Sequence, residues 1–354
     1  MHSKRTPLKA TLLLLLCSTL ITGCAGGSLA KVGGTDELPK ELSKELQDKF
    51  EIRDTSAIGS GDPAKFSTTA LEAAPGNVTP VVKRAKGKKK KTAKAKAADA
   101  AATAAETKVV YPVRRPEKEP FWLGESHVFN ITYFGMSGGD FTLDVLPFKA
   151  IDNRKVYHIR GTAISSPVFS LFYRLNDVVE TFIDYEGLFS HRFHIVLDET
   201  KQTRDSLELY DNEKKQTFYW NRWNRKDHGY TETKEFAPIP QWSQDTMSAL
   251  FYLRTVPLPQ DAVITIPVVS EGKFWEAVVT VVRREMMDTP LGRVQTVVVR
   301  PEMKFQGILK KQGDSFIWLT DDDRRFVVRL EAKVRIGTII AILKKIEPGT
   351  PPEP

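Results

Sequence analysis

The chain has 354 residues, of which 41% are hydrophobic and 27% charged, the balance of a folded protein carrying polar extensions. Those proportions exclude a collagenous, disulfide-rich or multi-span membrane protein. Its 52 Lys and Arg outnumber 44 Asp and Glu to give a net charge of +8, but the excess is concentrated in segments, so the net charge says nothing of the fold. Both cysteines, Cys17 and Cys24, lie near the N-terminus, so no disulfide can staple the rest of the chain and its core must rest on burial.

Lys4, Arg5 and Lys9 precede an apolar run from Leu12 to Ile21 that only Cys17, Ser18 and Thr19 interrupt. Residues 1–23 therefore read as a signal peptide, and the run falls short of the about 20 apolar residues that span a bilayer. The stretch Leu20-Ile21-Thr22-Gly23-Cys24-Ala25 resembles a bacterial lipobox, in which a thiol follows small residues that fit the peptidase. Acylation of Cys24 is the expected modification; the competing reading is a secreted protein with a chance cysteine near an ordinary cleavage site. Acyl chains contribute about 0.8 kcal/mol per buried methylene, enough to make attachment to the membrane effectively permanent. With Ala25 instead of Asp after the cysteine, sorting in a Gram-negative cell would favour the outer membrane, facing the periplasm.

Residues 24–118 hold Phe50, Phe66 and Tyr111 as their only aromatics and are rich in Gly, Ala, Lys, Thr and Pro. Such a segment buries too little to offset its ordering entropy, and it reads as a disordered tether. Leu38, Leu42, Leu46 and Phe50 recur every four residues, which lines up one helical face, either transient or docking on a partner or a membrane surface. Residues 83–96 carry nine basic side chains and no acidic one, with Lys88, Lys89, Lys90 and Lys91 consecutive. Outside the cytoplasm such a block meets lipid headgroups, lipopolysaccharide phosphates or peptidoglycan carboxylates; the competing reading is a solvated run that keeps the tether soluble. No aromatics interleave it to stack bases, which disfavours nucleic acid.

From residue 119 to 347 apolar and polar residues alternate between turn signals such as Ser137-Gly138-Gly139, Asp152-Asn153 and Asp211-Asn212. About fifteen short strands result, the pattern of an antiparallel meander closing wholly or partly into a β-barrel. One helix interrupts it, over about 243–254, with Ser243 as a possible N-cap and Pro257 and Pro259 ending it. A helical turn is also expected near Val168 to Tyr173, and residues 348–354 form a Pro-rich tail.

Several motifs in order carry a family resemblance. They are Gly124-Glu125, Gly138-Gly139, Gln244-Asp245, Phe251-Tyr252-Leu253-Arg254, Leu291-Gly292, Trp318 to Asp322 with Arg324-Arg325, and Gly337. Over about residues 121–345 the chain resembles the bacterial domain-of-unknown-function family 3108. That resemblance implies an exported β-rich protein or lipoprotein and supplies no catalytic residue.

The residues themselves offer little chemistry. His191 and His194 are three apart, and on a strand that spacing sends the two rings to opposite faces, so no metal site is expected. No G-x-S-x-G, no phosphate-binding glycine loop and no free thiol after lipidation are present, so neither a catalytic residue nor a cofactor is expected. Clustered aromatics are more suggestive, and Trp220, Trp223, Phe172 and Met247 are the candidates for lining a cavity that takes an apolar or lipid ligand; the competing reading is that such residues simply fill the barrel core. Three readings follow: a non-enzymatic envelope lipoprotein that binds such a ligand, a scaffold lipoprotein in a protein complex or bound to the wall through the basic block, and, with least support, a glycan or lipid hydrolase.

Overall fold

The computed structural model describes residues 38, 42–57, 110–305, 308–310, 314–334 and 337–351. In chain order the elements begin with helix α1 (Lys44–Phe50) and the short strand β1 (Arg53–Asp54). There follow β2 (Leu123–Tyr133), β3 (Met136–Ile151), β4 (Arg154–Ser165), helix α2 (Pro167–Ser170), β5 (Asn176–Asp184), β6 (Ser190–Asp198), β7 (Gln202–Asp211), β8 (Gln216–Arg225) and β9 (Gly229–Pro238). Helix α3 (Thr246–Leu253) separates these from β10 (Val263–Ser270), β11 (Lys273–Thr289), β12 (Gly292–Phe305), β13 (Ile308–Lys310), β14 (Ser315–Thr320), β15 (Val327–Lys333) and β16 (Thr338–Thr350).

All strands join one 16-stranded sheet in the order β10-β11-β12-β14-β15-β16-β2-β3-β4-β5-β6-β7-β8-β9, with β1 on β3 and β13 on β12. Each neighbouring pair is antiparallel, and the path does not close, leaving β10 and β9 as its ends. Nearest neighbours in sequence pair almost throughout, which is what a meander of short turns produces. The expected barrel-like meander is therefore present as an open sheet. The end of β12 pairs antiparallel with the short β13.

Alternation explains which side faces in. Phe129 and Ile131 of β2, Leu143 and Val145 of β3, Tyr157 and Ile159 of β4, and the valines of β11 and β12 fill one continuous interior cluster. Helix α3 plugs it with Met247, Leu250, Phe251 and Leu253. Its N-cap is Asp245, whose carboxylate accepts Met247 N and Ser248 N at 2.7 Å each, while Ser243 donates its hydroxyl to Pro240 O at 2.6 Å. The capping residue thus lies two places beyond the serine expected from sequence. Asp245 also accepts the hydroxyls of Thr181 and Ser190 at 2.5 and 2.6 Å, tying the plug to β5 and β6. At the other end of α3, Arg254 meets Glu125 at 2.6 Å, and Arg324 reaches the same carboxylate at 2.6 Å.

A second core lies on the outside of the sheet. Leu42 and Phe50 pack with Ile151, Val156, Phe182, Leu207, Leu209 and Phe218, flanked by Leu38 and Leu46. Of the four-residue repeat expected to form a helix within the tether, Leu46 and Phe50 lie in α1 while Leu38 and Leu42 precede it, and α1 is docked on the barrel. Residues 110–120 are docked as well: the Tyr111 ring lies 5.1 Å from that of Trp242, and its hydroxyl donates to Glu213 at 2.8 Å. Lys49 of α1 reaches the same Glu213 at 2.8 Å. The folded unit therefore begins well before residue 119, because apolar side chains spaced along the tether find a matching outer face that single-segment composition does not reveal.

Candidate functional site

One rim of the barrel is formed by the β2–β3 turn and by the connection from β4 to β5. At this rim Gly139 faces β4 so closely that a Cβ there would lie 2.1 Å from Ile164 O, so only glycine permits the approach. Ser166 N donates to Gly138 O at 2.9 Å, which fastens the β4–β5 connection to the neighbouring turn. Ser166 then caps α2 through Phe169 N, with Pro167 at the first helical position.

Helix α2 is a single turn, too short to bury a face, and its surroundings stand in solvent. Leu171 is 82% and Phe172 79% exposed, and Val168, Ile164, Phe134 and Met136 are also exposed at this rim. Exposed apolar side chains in such concentration mark a contact surface. The crest is held from below. Tyr173 is buried and donates to Glu199 at 2.5 Å, Leu175 N donates to Ser165 Oγ at 3.0 Å, and Arg174 bonds Asp198 at 2.8 Å.

From Glu199 a chain of hydrogen bonds runs into the interior. Gln202 Nε2 donates to Glu199 at 2.7 Å, and Trp223 Nε1 donates to Gln202 Oε1 at 2.9 Å. Trp223 shares its face with Arg204, Asn221 and Tyr219, the inward face of β7 and β8. Two guanidiniums flank its ring, Arg225 at 4.2 Å and Arg204 at 5.0 Å from the centroid. Arg204 is buried and bonds Asn221 at 2.6 Å, Tyr219 at 2.9 Å and Glu271 at 2.8 Å. The interior beside β9 is therefore polar, in contrast to the apolar fill under α3.

Carboxyls in this polar part are perturbed by burial. Asp177 is pushed up by burial and then by the neighbouring charge of Glu199, and burial raises Glu199 too. Asp177 Oδ2 and Glu199 Oε1 are buried without another partner, an arrangement satisfied when the two carboxyls share one proton. Glu208, raised by burial to about 7, accepts the amides of Glu271 and Gly272 at 3.0 and 2.9 Å and so seats the β10–β11 turn inside the barrel.

The four side chains singled out for a cavity do not converge. Phe172 belongs to the crest and Trp223 to the interior beneath it, joined by the chain through Tyr173, Glu199 and Gln202. Trp220 is paired with Lys234 on the opposite face of the sheet, donates to Glu232 at 2.8 Å and adjoins the outer core. Three residues along a strand reverse the face, so the two tryptophans could not share a cavity. Met247 is part of the packed plug, with its terminal methyl against Gly161. His191 and His194 pair with separate carboxylates, Asp184 and Asp205, at 3.0 Å each. Among the described residues no group of three or more metal-capable side chains gathers. Cys24, Lys88, Lys89, Lys90 and Lys91 lie outside the described residues.

Sequence reasoning missed Arg204, Arg225, Gln202 and the Asp177–Glu199 pair, although even spacing from Trp223 along β8 would have put Arg225 on its face. It also passed over Glu125, Arg254 and Arg324 as a unit. These come from three separate motifs and meet only through the fold.

Comparison with known proteins yields no match among curated sequences. Among solved structures, the chain is similar to a β-barrel-like protein of domain of unknown function DUF1849 from Brucella abortus, with 10% identity, 65% of this chain and 99% of that one covered, and a TM-score of 0.42. A Bacteroides fragilis protein described as exported with a YmcC-like fold has 12% identity, coverage of 65% and 98%, and a TM-score of 0.29. A Parabacteroides distasonis protein described as a lipoprotein has 8% identity, coverage of 67% and 99%, and a TM-score of 0.29. The model of the family described as protein of unknown function DUF3108 matches residues 128–344, from within β2 to within β16 and thus most of the sheet, and the chain belongs to this family.

Proposed function

We propose that this protein is an exported, lipid-anchored envelope protein whose barrel binds an amphiphile at the crest, without catalysing its conversion. The observation that carries the reading is the crest itself: exposed Val168, Leu171 and Phe172, joined through Tyr173, Glu199 and Gln202 to a cation-flanked Trp223. Apolar chains would cover the crest, and burial of each large side chain contributes about 1.5–3 kcal/mol. The polar or anionic head would meet Arg225 and the amide and hydroxyl groups of the inner face. Export and acylation at Cys24 rest on the leader and lipobox, and they put the barrel where envelope lipids are its surroundings. Among the described residues no nucleophile with an adjacent base accompanies the site, which supports binding over hydrolysis.

The test is mass spectrometry under non-denaturing conditions on the full chain from its own envelope, beside the Leu171→Asp, Phe172→Asp double variant. A stoichiometric amphiphile mass on the wild type, lost from the variant, is expected. An equal mass on both proteins, or none on either, overturns the proposal.

A further inference from the structure

Strand β9 ends the sheet, and its whole length faces solvent. Nine of its ten residues are exposed and Ala237 is half-buried, with Tyr230 55% and Phe236 51% exposed. Its pairing with β8 runs without a register shift from Gly229 to Pro238, so no bulge twists the edge away. Among the described residues no backbone hydrogen bond is made on its other side. The opposite end of the sheet is treated differently: Gln244 runs alongside β10, donating to Pro267 O at 2.9 Å and accepting Val269 N at 2.8 Å. A ten-residue edge that carries exposed aromatics and that no neighbouring strand covers is a template for pairing with another strand.

We propose that β9 pairs with β9 of a second copy of this chain, antiparallel and centred on Thr233, so that two barrels share one continuous sheet. The register follows from the residues. On a free edge only every second residue points its N–H and C=O outward, so residues facing each other across a dyad must be an even number apart and the axis must pass through a residue. Centring on Glu232 would oppose Glu232 to itself, and centring on Lys234 would oppose Lys234 to itself; like charges directly opposite are unfavourable. Centring on Thr233 sets Glu232 of each copy against Lys234 of the other and Tyr230 against Phe236, all on the face that also carries Trp220. Thr231 then faces Glu235 on the inner face.

Within one chain Glu232 and Lys234 already lie 3.1 Å apart and about a third exposed, so the dyad would assemble four alternating charges flanked by two aromatic pairs. This self-complementarity commits the edge to a second copy in preference to an unrelated extended peptide, which has no reason to match the sequence of β9 in reverse. Pro238 closes the strand and ends the pairing where an outward amide would be lost.

Sedimentation velocity on the full chain tests the pairing through charge exchange. Wild type should sediment at twice the monomer mass, and Glu232→Lys and Lys234→Glu alone should each fall to the monomer. An equimolar mixture of the two single variants should recover the dimer, because each lysine then meets a glutamate across the axis; so should the double exchange on one chain. Both positions are solvent-exposed, and recovery on mixing separates the interface from any effect on folding. Thr233→Cys fixes the register: oxidation should give a cross-linked dimer, since residues at the axis face each other within disulfide reach, whereas Thr231→Cys, with every other thiol the same, should give none. A monomeric wild type, dimers that survive both single reversals, or cross-linking at 231 in place of 233 would each overturn the proposal.

Discussion

Glu125 is the most enclosed charge at the rim away from the crest, 1% exposed and shared by Arg254 and Arg324. Burial alone would raise its pKa, but the charge of Arg254, followed by His127, outweighs burial and holds the carboxyl down to about 2 against an ordinary 4.5. A folded-state value below the unfolded one means stability that is fully present above about 4.5 and is lost as the pH falls toward 2. Glu125→Gln should remove that acid dependence and lower stability at neutral pH by roughly 3 kcal/mol, because Arg254 then stays buried without its counter-charge. Urea unfolding across the acid range checks both. An acid limb as steep in the variant as in the wild type would assign the acid sensitivity to other groups.

Among the elements, α1 is the one whose role differs most from its appearance in the sequence. Phe50 is 1% exposed and sits among Ile151, Phe182 and Leu209 on the outside of the sheet. Phe50→Ala should cost about 3 kcal/mol by leaving a cavity there, and thermal unfolding of the full chain measures it; a loss within a few tenths would mean that α1 contributes nothing to the fold. The helix itself was legible from Leu46 and Phe50, though Leu38 and Leu42 fall before it, and its docking was not legible, because the surface it covers is assembled from β3, β4, β5, β7 and β8. Strand positions were legible from alternation, as Phe141, Leu143 and Val145 show within β3. The crest was half visible, since Phe172 stood out as an aromatic while Leu171 and Val168 did not. Trp220 and Trp223 were grouped by nearness in sequence, and the period of two that separates them was the stronger signal.

Over the whole molecule the carboxyls at the two rims are shifted in opposite directions, Glu125 down and Asp177 up, so opposite responses to pH are expected. At the crest, burial and then the charge of Glu199 raise Asp177 above its ordinary value, so the folded state keeps a proton that the unfolded chain loses. Stability from this pair is therefore present at low pH and declines as the pH climbs from the ordinary carboxylate range, the reverse of Glu125. Asp177→Asn keeps a donor without titrating, and it should flatten the decline and be at least as stable as wild type at mildly alkaline pH. A stability series against pH that falls equally in both proteins would refute this.

The two docking stations beside Glu213 also change what the basic block is attached to. Residues 58–109 leave from the end of the α1 segment and return at Val110, so the block at 83–96 sits on a loop closed by the barrel at both ends. The span between Cys24 and the barrel is then only the stretch up to Leu42, which at most about 3.6 Å per residue limits to some tens of ångströms. If the loop were severed anywhere along its length, the piece bearing Cys24 and α1 would become a separate small subunit. Its grip on the barrel would then obey a dissociation constant set by the outer core, and the two pieces would part by mass action in place of chain connectivity.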